Sequence, residues 1–385
     1  MLSCRWRILA AAVLAVVCAS AETIPNPTKR AGAGPLFQIV RHGKWGFMDR
    51  TGRVVIAPAF SGEDDFFGGL AAVRLPEGKL GFIDERGRFV IAARFDEVCD
   101  FVGDLAPVRI GRKWGYIDTS GRMVVEPQFQ AAGEFHEGLA RVHLWSKVFC
   151  GRGEFTSDDA PFYAFRLLED EKSDLIECFP VGGKFGYIDR TGKVVIAPRF
   201  FIAQDFAEGL AAVRVEESAD SKYGYIDRAG QMVIAPRFHQ AGPFSEGLAA
   251  VETNARIVGN QVVDVAWGFI DKTGVLKIPD TYRFAGNFSE GLARVAINLG
   301  MGYIDRDGKM VIPAEFTQVS DFSDGLAVAC FDECVYIDRS GATVLKGSRA
   351  YWPFSDGLAV VGFYGDSQFY IDKKGRVIAP YESDK

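Results

Sequence analysis

Carboxylates are the residues of this 385-residue chain whose spacing could do chemistry. Nine aspartates, Asp49, Asp84, Asp118, Asp189, Asp227, Asp271, Asp305, Asp338 and Asp372, each stand three residues before a glycine: Gly52, Gly87, Gly121, Gly192, Gly230, Gly274, Gly308, Gly341 and Gly375. Paired acids held at divergent pKa values would perform general acid–base hydrolysis. Such a pair is needed once, however, and repetition in every unit indicates a structural device. Aspartate opening a tight turn accepts hydrogen bonds from turn N–H groups. Glycine closing it supplies the positive φ that follows a type I turn in a hairpin. These positions read as hairpin turns.

Other reactive residues form no catalytic pattern. His42, His136, His143 and His239 share no repeat position, and Ala140 stands where a zinc-protease helix starting at His136-Glu137 would carry its second histidine. No Gly-x-Ser-x-Gly elbow and no Gly-rich loop ending in Lys-Ser or Lys-Thr is present. An acid precedes Gly-Leu-Ala in six units: Glu137, Glu208, Glu246, Glu290, Asp324 and Asp356. It reads as a solvated turn residue, or as one of a row that attracts cations or basic peptides. No cofactor or metal is expected, and the chain reads as non-enzymatic.

The elements that carry these turns repeat with a basic period of about 34 residues, the mark of stacked supersecondary units. A short apolar strand such as Leu248 to Val251 leads through a variable loop to a second strand, Trp267 to Asp271. The Asp-x-x-Gly turn then returns the chain as a third strand ending near Pro279. Each unit is therefore expected to be a three-stranded antiparallel meander in an all-β array of about nine repeats. Two aromatic rows follow the turn, at eleven and at seventeen residues, with Phe354 one residue early. One runs from Phe60 through Phe95, Phe129, Phe200, Phe238 and Tyr282 to Phe316; the other runs from Phe66 through Phe101, Phe135, Phe206, Phe244, Phe288 and Phe322 to Phe354. Buried aromatics dominate core energetics, so the rows read as the ladder packing one unit on the next, with a stacking platform for sugars or nucleic acid as the alternative. Because the first and last units each carry their own strands and share no blade, an open curved superhelix or solenoid is favoured. A closed propeller-like ring is the alternative.

Lys44-Trp45-Gly46-Phe47-Met48-Asp49 and Lys113-Trp114-Gly115-Tyr116-Ile117-Asp118, with Gly-x-Val-Ile-x-Pro and Glu-Gly-Leu-Ala elsewhere in each unit, resemble the bacterial WG-repeat family. The resemblance spans roughly Leu36 to Tyr381. It departs where Leu80, Phe185, Tyr223 or Met301 replaces tryptophan and where Val335 and Phe369 replace glycine. The resemblance implies a binding or scaffolding module, often exported, with no catalytic residues to carry over.

The ends and composition bound the compartment. Arg5 and Arg7, the apolar stretch Ile8 to Val17, and Ala19-Ser20-Ala21 read as a signal peptide over 1–21. A lipoprotein processed at Cys18 is a minor alternative, since Val17 is bulky where that processing prefers a small residue. Residues 22–35 read as a linker, 36–381 as the repeat array and 382–385 as a tail. Removing two arginines with the signal takes the net charge from −6 to −8. With the signs interspersed, this lacks the basic footprint that nucleic acid requires. No segment approaches the ~20 apolar residues of a membrane span. In an oxidising compartment Cys150 and Cys178 pair first, and Cys330 and Cys334 are a second candidate pair, which leaves Cys99 over.

Length varies almost entirely in the loop after Gly-Leu-Ala. The next turn aspartate lies 13 to 15 residues on in five units, but 51 after Gly138, 18 after Gly209 and 24 after Gly247. Three successive units thus project long loops from one edge, where repeat proteins commonly bind. The largest, 145–183, carries Trp145, Phe155, Phe162 and Tyr163 beside acids including Glu169 and Asp170. It reads as a disulfide-stapled cover or as a recognition edge. The resulting expectation is a periplasmic, secreted or cell-surface scaffold for a protein or envelope polymer. The alternative is a cell-envelope glycan or peptide hydrolase using acids of the insertion.

Overall fold

The computed structural model describes residues 34–151, 177–218, 221–258, 261–346, 352–362 and 368–381. The segment read as a signal peptide, the linker up to residue 33 and the tail 382–385 lie outside them. The described residues form nine small antiparallel sheets in chain order, seven four-stranded and the first and last three-stranded. The sheets are blades of a ring. Blade 1 is Phe37–Arg41, Lys44–Met48 and Val54–Phe60. Blade 2 is Gly62–Glu63, Leu70–Arg74, Leu80–Asp84 and Phe89–Phe95, and blades 3 to 8 repeat that pattern. Blade 9 is Leu358–Val361, Gln368–Asp372 and Val377–Tyr381.

The expectation of three-stranded units is corrected here. A first strand of only two residues, such as Gly62–Glu63, lies inside the constant-length connection and pairs with the Leu-Ala strand. In blades 4 and 7 it lengthens to six residues, Ala131–His136 and Phe284–Ser289. The second and third strands are apolar runs buried along their length, as in Leu70–Arg74 and Leu80–Asp84. The fourth strand alternates, with Ile91 and Phe95 inward and their neighbours outward.

The glycine of Trp-Gly has a steric cause. In blades 1 to 7 the fourth strand bulges against the third: Trp45 pairs with Phe60 but Phe47 with Ile56. A Cβ on Gly46 would stand 2.5 Å from the Ile56 carbonyl oxygen, and one on Gly268 2.7 Å from that of Ile278. In blade 9 that bulge is absent, with Phe369 opposite Pro380 and Tyr370 opposite Ala379, so a side chain fits; the register shifts only after Tyr370. Blade 8 likewise pairs Val335 with Lys346 and Tyr336 with Leu345.

Neighbouring blades are joined by the aromatic ladder. The third-strand aromatic two residues before each turn aspartate meets the second-row phenylalanine of the next blade. Phe47–Phe66, Phe82–Phe101, Tyr116–Phe135, Tyr187–Phe206, Tyr225–Phe244, Phe269–Phe288, Tyr303–Phe322 and Tyr336–Phe354 have ring centroids 4.6–5.1 Å apart. Each tyrosine hydroxyl also donates to a backbone carbonyl of the next blade, at Gly133, Gln204, Gly242, Ser320 and Trp352, over 2.6–2.8 Å. The five tyrosines are fully buried. Burial pushes the pKa of Tyr116, Tyr187, Tyr225 and Tyr303 far up, so these hydroxyls remain donors.

The ring closes, which corrects the favoured open stack. Phe37 of blade 1 packs edge-on against Tyr370 of blade 9 at 5.8 Å, within a core of Phe37, Ile39, Met48, Leu358, Tyr370 and Ala379. Elsewhere a turn glycine rests on a fourth-strand side chain of the preceding blade: Gly87 on Ile56, Gly230 on Ile196, Gly308 on Ile278. Gly52 of blade 1 comes up against Ile378 of blade 9, there chiefly against its backbone carbonyl. Closure therefore places blade 1 on blade 9 through the same two elements, a turn glycine and an aromatic pair, with different atoms in contact, and needs no shared sheet.

Gly115→Ala should lower stability by about 2 kcal/mol or more, because the new Cβ meets the Val125 carbonyl and the bulge cannot shift alone. Denaturant unfolding of the variant against the parent measures it, and an unchanged midpoint would remove this account of the glycine.

Candidate binding face

Antiparallel order divides the loops between two faces of the ring. Connections between first and second strands, and the Asp-x-x-Gly turns between third and fourth, share one face. Loops between second and third strands, where length varies, share the other.

The turn face is built for cohesion. All nine turn aspartates accept N–H bonds from the residues two and four further on, as Asp271 does from Thr273 at 2.9 Å and Val275 at 3.0 Å. The nine turn glycines lie at φ +75° to +86°. Hydroxyl bonds from Thr51, Ser120 and Thr273, outweighing slight desolvation, bring the pKa of Asp49, Asp118 and Asp271 down to about 2.

The acids before Gly-Leu-Ala are neither free solvated residues nor an unpaired row. They occupy left-handed conformations at φ +51° to +57°. Five reach the following blade, where Glu137, Glu208, Glu246, Glu290 and Asp324 accept the N–H of Gly209, Gly247, Gly291, Gly325 and Gly357. One side chain spans neighbouring blades only where the blades converge, so the first strands form the inner edge and the fourth strands the outer rim. A basic residue after the next blade's turn aspartate covers each acidic turn. Lys272 pairs with Glu208 at 3.0 Å, Arg190 with Asp104 and Lys373 with Asp324, while Arg228, Arg306 and Arg339 lie over Gly138, Gly247 and Gly291. At the closure Arg50 donates to the Asp356 carbonyl. Sequence reading missed this pairing although its signal was present. Blade 2 has Gly68 at the acidic position, and Thr119 stands at the basic position facing it.

Three of the four histidines sit within the packed structure. His136 lies between Glu134 at 3.7 Å and Asp205 at 3.9 Å. Burial opposes its charge, but these acids outweigh it and raise its pKa. His143 packs at a tilt against Phe185, and burial lowers its pKa; His239 meets Lys222 Nζ at 2.8 Å. His42 sits exposed on a two-residue turn at φ +50°.

The loop face carries the variable elements. In blade 4 the strands Leu139–Gly151 and Glu177–Asp189 stay paired from Leu139 opposite Asp189 to Gly151 opposite Glu177. Thirteen residues against five in blade 2 carry this ribbon roughly 26 Å beyond the ring, at ~3.3 Å per residue. Blade 6 raises a second ribbon, Ala249–Val258 with Gln261–Ile270. Between them lies the loop of blade 5 after Arg214. Cys150 and Cys178 are direct cross-strand partners. Trp145 is on the first strand of the blade 4 ribbon, whose side chain there lies outside the described ones, as do Phe155, Phe162, Tyr163, Glu169 and Asp170 altogether. Cys330 and Cys334 form a disulfide with Cα atoms 4.0 Å apart. Cys99 is itself disulfide-bonded, which corrects its reading as left over.

The fold defines a nine-bladed β-propeller. A sequence model described as "WG containing repeat" matches residues 45–79, 81–114, 114–143, 185–217, 223–256, 267–298 and 301–333, and the chain belongs to this family. The last match ends before Val335, where the bulge and its glycine disappear. No curated protein matches. Among solved structures, BamB from Moraxella catarrhalis is 12% identical over 82% of this chain and 91% of its own, with TM-score 0.41. An acylaminoacyl peptidase from Pyrococcus horikoshii is 12% identical over 90% of this chain and 52% of its own, with TM-score 0.39. Likenesses this distant carry no argument about function. Among the described residues no helix is long and apolar enough to cross a membrane.

The depressed turn carboxylates set an acid limit. Their stabilisation is complete above the unfolded aspartate pKa near ~4 and is lost as pH falls toward about 2. Circular dichroism during acid titration should show ring structure failing across that window. Asp271→Asn should begin to fail at higher pH, and coincident curves would count against the turn mechanism.

Proposed function

We propose that this protein is an exported, non-catalytic ring scaffold that presents its loop face to an extracytoplasmic protein or envelope polymer. The observation that carries the reading is the placement of length variation. The connections within the blades fall on two faces, yet the long ones all rise from one, on three consecutive blades. Long ribbons on a rigid scaffold are a common means of recognition, because the ring fixes their bases and leaves their tips free to evolve. The Cys330–Cys334 disulfide and the cross-strand cysteines at 150 and 178 suit an oxidising compartment, which supports export. The carboxylates on the turn face are committed to forming the turns and to joining neighbouring blades, which supports a non-enzymatic role.

The ring should survive removal of the blade 4 ribbon tip. In-cell crosslinking from the envelope fraction, comparing the mature chain with one lacking residues 154–177, tests the reading. Loss of a crosslinked partner with an unchanged melting temperature is expected. Retention of every partner would exclude the ribbon as the recognition element.

A further inference from the structure

Outside the ribbons, the loop face divides by charge. In blades 1 to 3 the second strands lead into hairpins in which bases outnumber acids: Arg41, His42 and Lys44; Arg74 and Lys79, with the exposed acid Glu77 between them; Arg109, Arg112 and Lys113. Some are paired. Lys79 meets Asp96 at 2.6 Å and Arg109 meets Glu97 at 2.9 Å. Arg41, Lys44 and Arg112 have no acidic partner among the described residues, although the whole chain carries six more acids than bases. Arg41 and Arg112 are exposed, and each unpaired base lies on or beside a two-residue turn, His42-Gly43 or Gly111-Arg112. Arg41 also stands directly opposite Lys44 in the strand register. Like charges placed so are destabilising unless something neutralises them.

Continuing round the ring the other way, blades 7 and 8 present apolar tips on the same face. Leu299 is 91% exposed on its hairpin and Phe331 52% exposed within the Cys330–Cys334 loop. Asp332 and Glu333 follow Phe331, so an acidic group is repelled there. Phosphate polymers would satisfy the bases but leave Leu299 and Phe331 unmatched.

We propose that this arc of the loop face binds an acidic–apolar polypeptide segment, its carboxylates over Arg41, Lys44 and Arg112 and its apolar end against Leu299 and Phe331. The proposal rests on the loop face being the recognition surface, but not on the ribbons. Tight hairpins hold the backbone beneath the bases in place before binding, so only side chains are ordered on it. Charge sets the direction in which the segment lies, and the apolar end adds affinity that salt does not screen.

The test uses the full mature ring and three probes: a peptide of an oligoglutamate block joined to a leucine- and tyrosine-bearing block, the oligoglutamate block alone, and inorganic polyphosphate. The joined peptide should bind most tightly, with affinity falling as salt rises. The triple variant Arg41→Ser, Lys44→Ser, Arg112→Ser should weaken it roughly tenfold, and Leu299→Ser with Phe331→Ser should erase its advantage over oligoglutamate. Deleting residues 154–177 should leave this binding unchanged, which separates it from the ribbon test. The triple variant binding within about twofold of the parent would overturn the proposal. So would polyphosphate matching the joined peptide with no effect of the apolar substitutions, which would assign the arc to an anionic polymer. Unchanged melting of both variants guards against misfolding.

Discussion

Everything in this molecule depends on the contact between a third-strand aromatic and the phenylalanine seventeen residues (sixteen for Phe354) after its blade's turn aspartate, bound in the next blade. A blade of three or four short strands is marginal alone, because it leaves both faces of its apolar strands uncovered. The ladder covers them. Fully burying one such ring is worth about 1.5–3 kcal/mol, and each interface repeats the gain with edge-on geometry that aromatic pairs prefer. Where the ring is tyrosine, a hydroxyl bond to the next backbone adds direction. Phe47, Phe82 and Phe269 show that packing suffices without it.

The same constraint governs closure. Eight blades have alanine after the leucine of the second strand, from Ala71 to Ala359, whereas blade 1 has Phe37. Blade 1 lacks the connection that supplies the ladder phenylalanine elsewhere, and Phe37 fills that space against Tyr370. The charged relay on the turn face follows the blades round as well, with Arg50 reaching the Asp356 carbonyl as Lys373 reaches that of Asp324. Exposed pairs of this kind add little singly. Their value is in registering each blade on the last.

Much of this was legible in the residues. The turns, both aromatic rows and the face bearing the long loops follow from spacing alone, since side-chain direction in a strand and the Asp-x-x-Gly turn leave little freedom. The two-residue first strands were not legible, because so short a pairing has no period to detect. The open reading failed for a different reason. It took the lack of a shared blade as a lack of closure, whereas the decisive residues were Phe37, Arg50 and Asp356, whose meaning appears only when the last unit is placed beside the first. The ribbons were visible as length, but their continued pairing in blades 4 and 6 was not, for the insertions lack regular alternation.

Ring closure fixes where the ribbons stand and which hairpins share their face, so it is the claim to test most directly. Spin labels at Thr51 and Lys374, on the exposed turns of blades 1 and 9, would be compared by pulsed electron resonance with labels at Thr191 and Ala229 on the neighbouring blades 4 and 5. A closed ring predicts matching distances and widths for the two pairs. A longer, broader distribution between Thr51 and Lys374 would contradict the account and restore the open stack.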